Sequence, residues 1–97
     1  MLAEYDTEAD ALSIDLLEGV RWDESISIDD TSCHVALAKG IPVNIELLSP
    51  AGNLHLLDLA AERVGIDRDE LQASARSALA APDRQVTLRF SSHVSAP

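Results

Sequence analysis

The hydrophobic residues of this chain change their spacing near residue 49, and this change limits the possible folds more than any other feature. Before it, apolar and polar residues alternate in four segments, at 12–16, 25–30, 33–38 and 43–48. Strict alternation is typical of strands with one buried face, because successive side chains point to opposite sides. Turn-forming sequences such as EG, DDTS and KGIP separate the segments. We therefore predict an antiparallel β-meander with one dry face.

After residue 49 the apolar residues follow the period of an amphipathic helix. One helical face carries Leu57, Ala60, Ala61 and Val64. Asn53 lies where an N-cap is expected, and Gly65 lies where a C-cap is expected. The spacing therefore predicts a first helix between these two residues.

A second helix is predicted over residues 68–81. Asp67 with Glu70 three residues later is the pattern of a capping box, and Pro82 ends the helix. The segment RQVTLRF at 84–90 alternates again and predicts a last strand.

This order of elements places the chain in the α+β class. With 97 residues the chain is long enough for one hydrophobic core. We predict a single domain, an antiparallel β-meander with two helices packed on one face and a C-terminal strand. Its parts are the meander at 1–48, a helical hairpin at 49–81, the final strand at 82–91 and a frayed tail at 92–97.

Acidic residues crowd the opening segment, residues 5–19, which contains no lysine or arginine. Asp6, Glu8 and Asp10 resemble an oxygen-rich cation loop. A calcium loop also needs a glycine at its bend and six or more ligands, and residues 6–10 contain no glycine. We therefore interpret Asp6 and Asp10 as turn residues whose carboxylates accept backbone N–H groups.

The segment YDTEADALSIDLLEG at 5–19, followed by AKGIPVNIELLSPA, resembles a small family of bacterial proteins catalogued as domain of unknown function 2283. The positions that match its pattern are Tyr5, Asp6, Asp10, Leu12, Ile14, Gly40, Ile45, Glu46, Leu47 and Leu48. Ser13 and Asn44 depart from it, because the family often has an aromatic residue and usually a glycine there. The resemblance covers about residues 1–52 and implies a fold but no biochemical activity. Such proteins look like partners of toxin modules in bacterial gene pairs, which implies an antitoxin-like binding role.

The net charge of −10 is concentrated in the first half of the chain. Residues 1–48 hold eleven acidic residues against Arg21 and Lys39, a net charge of −9. Such a surface repels nucleic acid and anionic membranes and attracts a basic protein. The alternative interpretation is that the acidity only keeps the protein soluble.

Cysteine and histidine residues do not form a recognisable metal motif. Cys33 and His34 are adjacent, so they face opposite sides of a strand, and His55 and His93 lack zinc-type spacing. We interpret Cys33 as a small buried hydrophobe. A nucleophile–base pair such as Cys33 with His55 stays open, but no catalytic, cofactor-binding or metal-binding residue is predicted.

The segment LAAERVGIDRDEL fits a helix-turn-helix template, with Ala61 at the small position and Gly65 at the turn. Its second helix would begin near Arg68. Phosphates approach the start of such a helix, and acidic residues such as Asp69 stand there. A plain helical hairpin therefore explains the segment better, and a nucleic-acid partner is not expected.

We predict a non-enzymatic, acidic protein-binding module that binds a basic protein partner, is antitoxin-like and is able to form a homodimer. The predicted partner-binding residues are Asp15, Glu18, Asp23, Glu24, Asp29 and Asp30. A small enzyme or ligand carrier with a pocket between sheet and helices is the first alternative, and a helix-turn-helix DNA-binding protein is the second. With one cysteine, no secretory signal and no apolar run of membrane-spanning length, we expect a cytoplasmic protein without membrane partners or cofactors.

Overall fold

The alternating segments form strands and the 3.6-residue pattern forms helices, as predicted. The computed structural model describes residues 1–29 and 31–90. Its elements are β1 (Leu2–Asp6), β2 (Ala11–Asp15), β3 (Glu24–Ile28), β4 (Cys33–Ala38), β5 (Ile41–Leu48), α1 (Pro50–Asn53), α2 (His55–Val64), α3 (Arg68–Ala80) and β6 (Gln85–Thr87). The predicted frayed tail and His93 lie outside the described residues.

The six strands form one antiparallel sheet, and the α+β class is confirmed. The strand order is β3-β4-β5-β2-β1-β6, so only β3, β4 and β5 follow one another as a meander. A meander in chain order throughout would place β2 beside β3, whereas β2 pairs with β5. The chain departs from that order because β5 lies between β2 and β4. Its Ile45 pairs with Ile14 of β2 on one side and with Val35 of β4 on the other.

The connection from β2 to β3 therefore has to cross one end of the sheet. Three strand spacings separate β2 from β3, about 14 Å. The connecting residues, 16–23, span up to about 26 Å when extended, which is enough. The backbone N–H of Leu16 donates to the Val43 carbonyl at 2.9 Å, and that of Asp23 donates to the Leu37 carbonyl at 3.0 Å. The first residue of this crossing loop, residues 16–23, is thus bonded to β5, and its last residue is bonded to β4.

The turn between β1 and β2 is only partly as predicted. Asp6 accepts the backbone N–H groups of Glu8 and Ala9 at 3.0 and 3.3 Å, which confirms its turn role. Asp10 does not accept a backbone N–H through its carboxylate, so that prediction is wrong. Its backbone is left-handed (φ 50°) and its Oδ1 accepts the Tyr5 hydroxyl at 2.7 Å. This bond raises the pKa of Tyr5, because it stabilises the protonated phenol beside a negative charge.

The helical region begins earlier than predicted. Pro50 starts the short helix α1, and proline favours a first helical position because its missing N–H is not needed there. Asn53 is therefore not the N-cap of α2, which corrects the prediction. Its side-chain amide instead donates to the carbonyls of Leu48 and Ser49 at 2.9 and 3.2 Å. These bonds stabilise the chain at the end of β5, and they do not cap a helix.

The turn between α2 and α3 follows the prediction closely. Gly65 ends α2 with a left-handed backbone (φ 74°), and its N–H donates to the Ala61 carbonyl at 2.9 Å. Asp67 caps α3 by accepting the Glu70 backbone N–H at 3.0 Å. The helix ends at Ala80, one residue before the predicted end.

The core lies between one face of the sheet and the helices. Helix α2 packs against β3, β4 and β5, and α3 packs against β1, β2 and β6, so each covers one half of the sheet. The largest fully buried side chains are Leu12, Ile14, Val35, Val43, Ile45, Leu47, Leu57 and Leu71. The core face is therefore the one predicted from the alternation.

Asp83 joins the loop after α3 to the turn after β1. Its two carboxylate oxygens accept the backbone N–H and the hydroxyl of Thr7, at 2.9 and 2.7 Å. Its own N–H donates to the Tyr5 carbonyl at 2.8 Å. The two bonds from Thr7 lower the pKa of Asp83, because both favour the ionised form.

Leu71→Ala should lower the free energy of unfolding by about 2–5 kcal/mol, because it leaves a cavity at a fully buried position. Urea unfolding measures the change. Arg76→Ala on the exposed side of the same helix is the control and should stay within about 0.5 kcal/mol of the wild type. Equal losses for the two variants would contradict the packing of α3 on the sheet.

Asp83→Asn should lower the melting temperature at about pH 7, because the charge-assisted bonds to Thr7 are lost. Since the pKa of Asp83 in the folded protein lies below the ordinary pKa of an aspartate, 3.8, its stabilising contribution is present above that pH. It is lost as the pH falls further, so the two melting temperatures should converge in acid. Glu8→Gln in the same turn is the control, and a gap that does not depend on pH would disprove the role of the charge.

Candidate partner-binding surface

The sheet face away from the helices carries several acidic side chains and, in the described strands, no lysine or arginine. Alternation directs Glu4 and Asp6 of β1, Asp15 of β2 and Glu46 of β5 to this uncovered face. No lysine or arginine stands on the uncovered face of the described strands. Glu4, Asp6 and Glu46 were not among the predicted site residues, although the alternation of their strands places them on this face.

A small polar network lies at the centre of the uncovered face. The side-chain amide of Asn44 donates to the Ser13 hydroxyl at 2.9 Å and to Asp15 Oδ1 at 2.7 Å. Ser13 and Asn44, on the neighbouring strands β2 and β5, are therefore bonded to each other. Because Asp15 is half-buried and bonded here, it is less available to a partner than an exposed carboxylate.

The other predicted site residues lie at two ends of the edge strand β3. Glu18 and Asp23 belong to the crossing loop, and Glu24 is the first residue of β3. Asp29 follows β3 at its opposite end, and Asp30 lies outside the described residues. The structure therefore brings three of the six residues to one end of the sheet and does not gather all of them into one surface.

An apolar patch lies beside this acidic end of the sheet. Its members, here called the Trp22 patch, are Leu17, Val20, Trp22 and Ile41, with 47, 44, 58 and 56% of their surface exposed. They line a cavity of about 420 Å³ together with Arg21, Asp23, Ala38, Lys39 and Val43. Sequence reasoning missed this patch. The available signal was a group of apolar residues in segment 17–22, outside the alternating pattern.

A tight turn holds the far side of the Trp22 patch. Lys39 and Gly40 both have positive φ, 51° and 82°, which is the conformation of a two-residue type I′ hairpin turn. Ala38 pairs with Ile41 directly before and after it. The Lys39 backbone N–H also donates to Asp23 Oδ1 at 3.3 Å, which connects the turn to the crossing loop.

A cavity of about 570 Å³ lies between α2 and α3 rather than between sheet and helices. Its polar lining includes His55, Asp58, Arg68 and Arg76, and none of its described lining residues is a serine, threonine or cysteine. Asp58 accepts the side-chain amide of Gln72 at 3.1 Å, so it is already bonded within the fold. The cavity is therefore a surface cleft lined by side chains of both charges.

The start of α3 does not form a basic surface. Asp67 caps the helix, and Arg68 Nε lies 4.0 Å from Asp69 Oδ1, with both side chains largely exposed. An ion pair in this position offsets the positive charge that a recognition helix presents to phosphates.

Cys33 and the described histidines do not assemble a reactive site. Cys33 is fully buried, as predicted, and burial raises its pKa to about 11, which leaves the thiol protonated at neutral pH. His34, on the opposite face, donates through Nε2 to the Thr31 carbonyl at 2.8 Å. Within residues 1–29 and 31–90, no group of three or more His, Cys, Asp or Glu side chains has the arrangement of a metal site.

Comparison with protein-family models, with curated proteins and with solved structures finds no match to this chain. Among the described helices, none is long and apolar enough to cross a membrane.

Cys33 should resist a thiol reagent at about pH 8 in the folded protein and react fully in denaturant. Its burial excludes the reagent, and its raised pKa keeps the thiolate fraction small. Absorbance after addition of a chromogenic disulfide reagent measures the rate. Fast reaction of the native protein would show that Cys33 is accessible and would reopen a nucleophilic role.

Proposed function

We propose that this chain is a small, non-enzymatic protein-binding module whose interface is the Trp22 patch with the acidic residues beside it. The observation that carries the proposal is the exposure of Trp22, at 58%, among three other exposed large apolar side chains. Tryptophan is enriched among residues that dominate binding energy in protein interfaces. Exposed apolar patches with polar rims are typical of such interfaces.

The charge of the molecule supports a basic protein as the partner. The net charge is −10, and Glu18, Asp23 and Glu24 stand in or next to the crossing loop that carries the patch. An acidic rim accelerates encounter with a positive surface and disfavours acidic partners. Arg21 and Lys39, which also line the cavity, fit a partner with some acidic residues at the centre of its contact.

The resemblance of residues 1–52 to the bacterial family of domain of unknown function 2283 supports an antitoxin-like role within this proposal. We place the protein in the cytoplasm of a bacterium on the same basis. A homodimer is the competing use of the surface, because a second copy would also cover the Trp22 patch.

Two other functions have less support from the described residues. A small enzyme or ligand carrier would use the cleft between α2 and α3, where none of the described lining residues is a serine, threonine or cysteine and Asp58 is already bonded to Gln72. A DNA-binding protein would use the start of α3, where Arg68 stands beside Asp69. Neither site gathers four exposed large apolar side chains as the Trp22 patch does.

Trp22→Ala and Ile41→Ala should each weaken binding of the natural partner, Trp22→Ala by about 30-fold or more, because hot-spot residues contribute about 2 kcal/mol or more. The partner is captured from an extract of the source organism, purified and titrated by calorimetry. Leu48→Ala is the matched control, because Ile41 and Leu48 are the exposed apolar residues at opposite ends of β5. Unchanged affinity for Trp22→Ala would disprove the proposed interface.

The same titration at about 50 and 500 mM salt tests the charge of the partner. Association should slow by about tenfold or more at high salt, because steering between exposed charges is screened. Asp23→Lys combined with Glu24→Lys should slow it at low salt as well. If neither the salt nor the charge reversal changes the association rate, the proposed steering is wrong, and the acidity serves only to keep the protein soluble.

A further inference from the structure

The outer edge of β3 is open in the described structure. β3 stands first in the strand order and pairs only with β4 among the described strands. In an antiparallel pair, every second residue directs its N–H and C=O away from the partner strand. The residues from Glu24 to Ile28 therefore offer a row of backbone donors and acceptors about 17 Å long.

A cavity lies at one end of this edge. It has a volume of about 340 Å³ and is lined by Ile28 and Asp29 and by Leu59, Glu62 and Arg63 of α2. Leu59 is 43% exposed there. The cavity of the Trp22 patch lies on the other side of β3, because residues of β4, β5 and their turn line it. A strand added to the outer edge of β3 would place a side chain next to the cavity at Ile28, the arrangement in which side-chain pockets give specificity to strand addition.

The charges around β3 select the kind of strand that fits. Asp23 and Glu24 stand at its start and Asp29 at its end, with Glu62 beside Arg63 on the neighbouring helix. Arg21 and Lys39 also stand near the start of β3, so the surroundings of the edge are only weakly acidic, and the net charge of −10 of the whole molecule is what favours a basic segment. A segment that carries lysine or arginine at alternate positions complements this pattern, because opposite charges on neighbouring strands attract.

A second copy of the chain fits the edge poorly. Pairing of β3 with itself over its full length places Ile26 opposite Ile26 and Glu24 opposite Ile28 of the second copy. Each copy carries a net charge of −10, so two copies repel each other as they approach. A basic segment is attracted by the same charge.

We propose that β3 binds an extended basic segment of the partner protein as an additional antiparallel or parallel strand, with an apolar side chain in the cavity beside Ile28 and Leu59. The inference rests on the proposed protein-binding function and names the form of the partner. Main-chain hydrogen bonds to Glu24–Ile28 hold the segment, and the net negative charge of the molecule favours a basic one.

The test uses a capped seven-residue peptide that alternates lysine or arginine with isoleucine or valine. Amide hydrogen exchange by NMR should show outward-facing β3 amides slowed by at least about tenfold on addition of the peptide. A peptide with glutamate and aspartate in place of the basic residues should not slow them. Ser25→Lys on the β3 edge should weaken binding by at least about tenfold, because edge lysines repel a basic strand. Thr87→Lys on the opposite edge strand, with the same change in charge, should not.

The outcomes separate this inference from the proposed function. A shift of Trp22 fluorescence without slower exchange in β3 would overturn strand addition but support the Trp22 patch as an interface. Absence of binding by the peptide would overturn the inference, and the proposed function would then depend on the captured partner alone. Slower exchange in β3 on raising the protein concentration, without peptide, would overturn it in favour of a second copy. Retained exchange protection of β4 confirms that Ser25→Lys is folded.

Discussion

The pairing of β5 with both β4 and β2 is the constraint on which the rest of the structure depends. It joins the first hairpin to the β3–β4–β5 meander, and it buries Ile45 and Leu47 at the centre of the sheet. Because β5 occupies the place beside β2, the chain must travel across the end of the sheet to begin β3. The crossing loop that results carries Trp22. The candidate interface is therefore a direct consequence of the strand order.

The two faces of the sheet have different chemical roles. Helices α2 and α3 each cover one half of the inner face, so a single layer of helices buries the apolar side chains of the sheet. The outer face keeps its polar residues in water and bonds Asn44 to Ser13 and Asp15. Polar contacts hold the loops against the sheet. Asp83 and Thr7, for example, are far apart in sequence but bonded to each other. The proposed binding surfaces are at the end and the edge, where neither layer covers the chain.

Sequence patterns predicted the elements well because their signals are local. The alternation around Ile45 and the pair Gly65 and Asp67 each depend on residues within one turn or strand, and the structure confirms them. Non-local features were beyond such patterns. The place of β5 beside β2, and hence the exposure of Trp22, depends on which strands pair. Asn53 was misassigned because Pro50, three residues earlier, starts a helix first.

The open edge of β3 also bears on the colloidal behaviour of the protein. Like charges at the two ends of β3 keep copies of the chain apart, while the backbone groups between them stay ready to pair whatever the pH. The isoelectric point of the sequence is about 4.4, so mild acid removes the net repulsion long before it removes a hydrogen bond. At mildly acidic pH, copies of the chain are therefore free to pair through the edge of β3 and to precipitate as ordered aggregates. The net negative charge that the acidic side chains provide near neutral pH thus also protects an open strand edge.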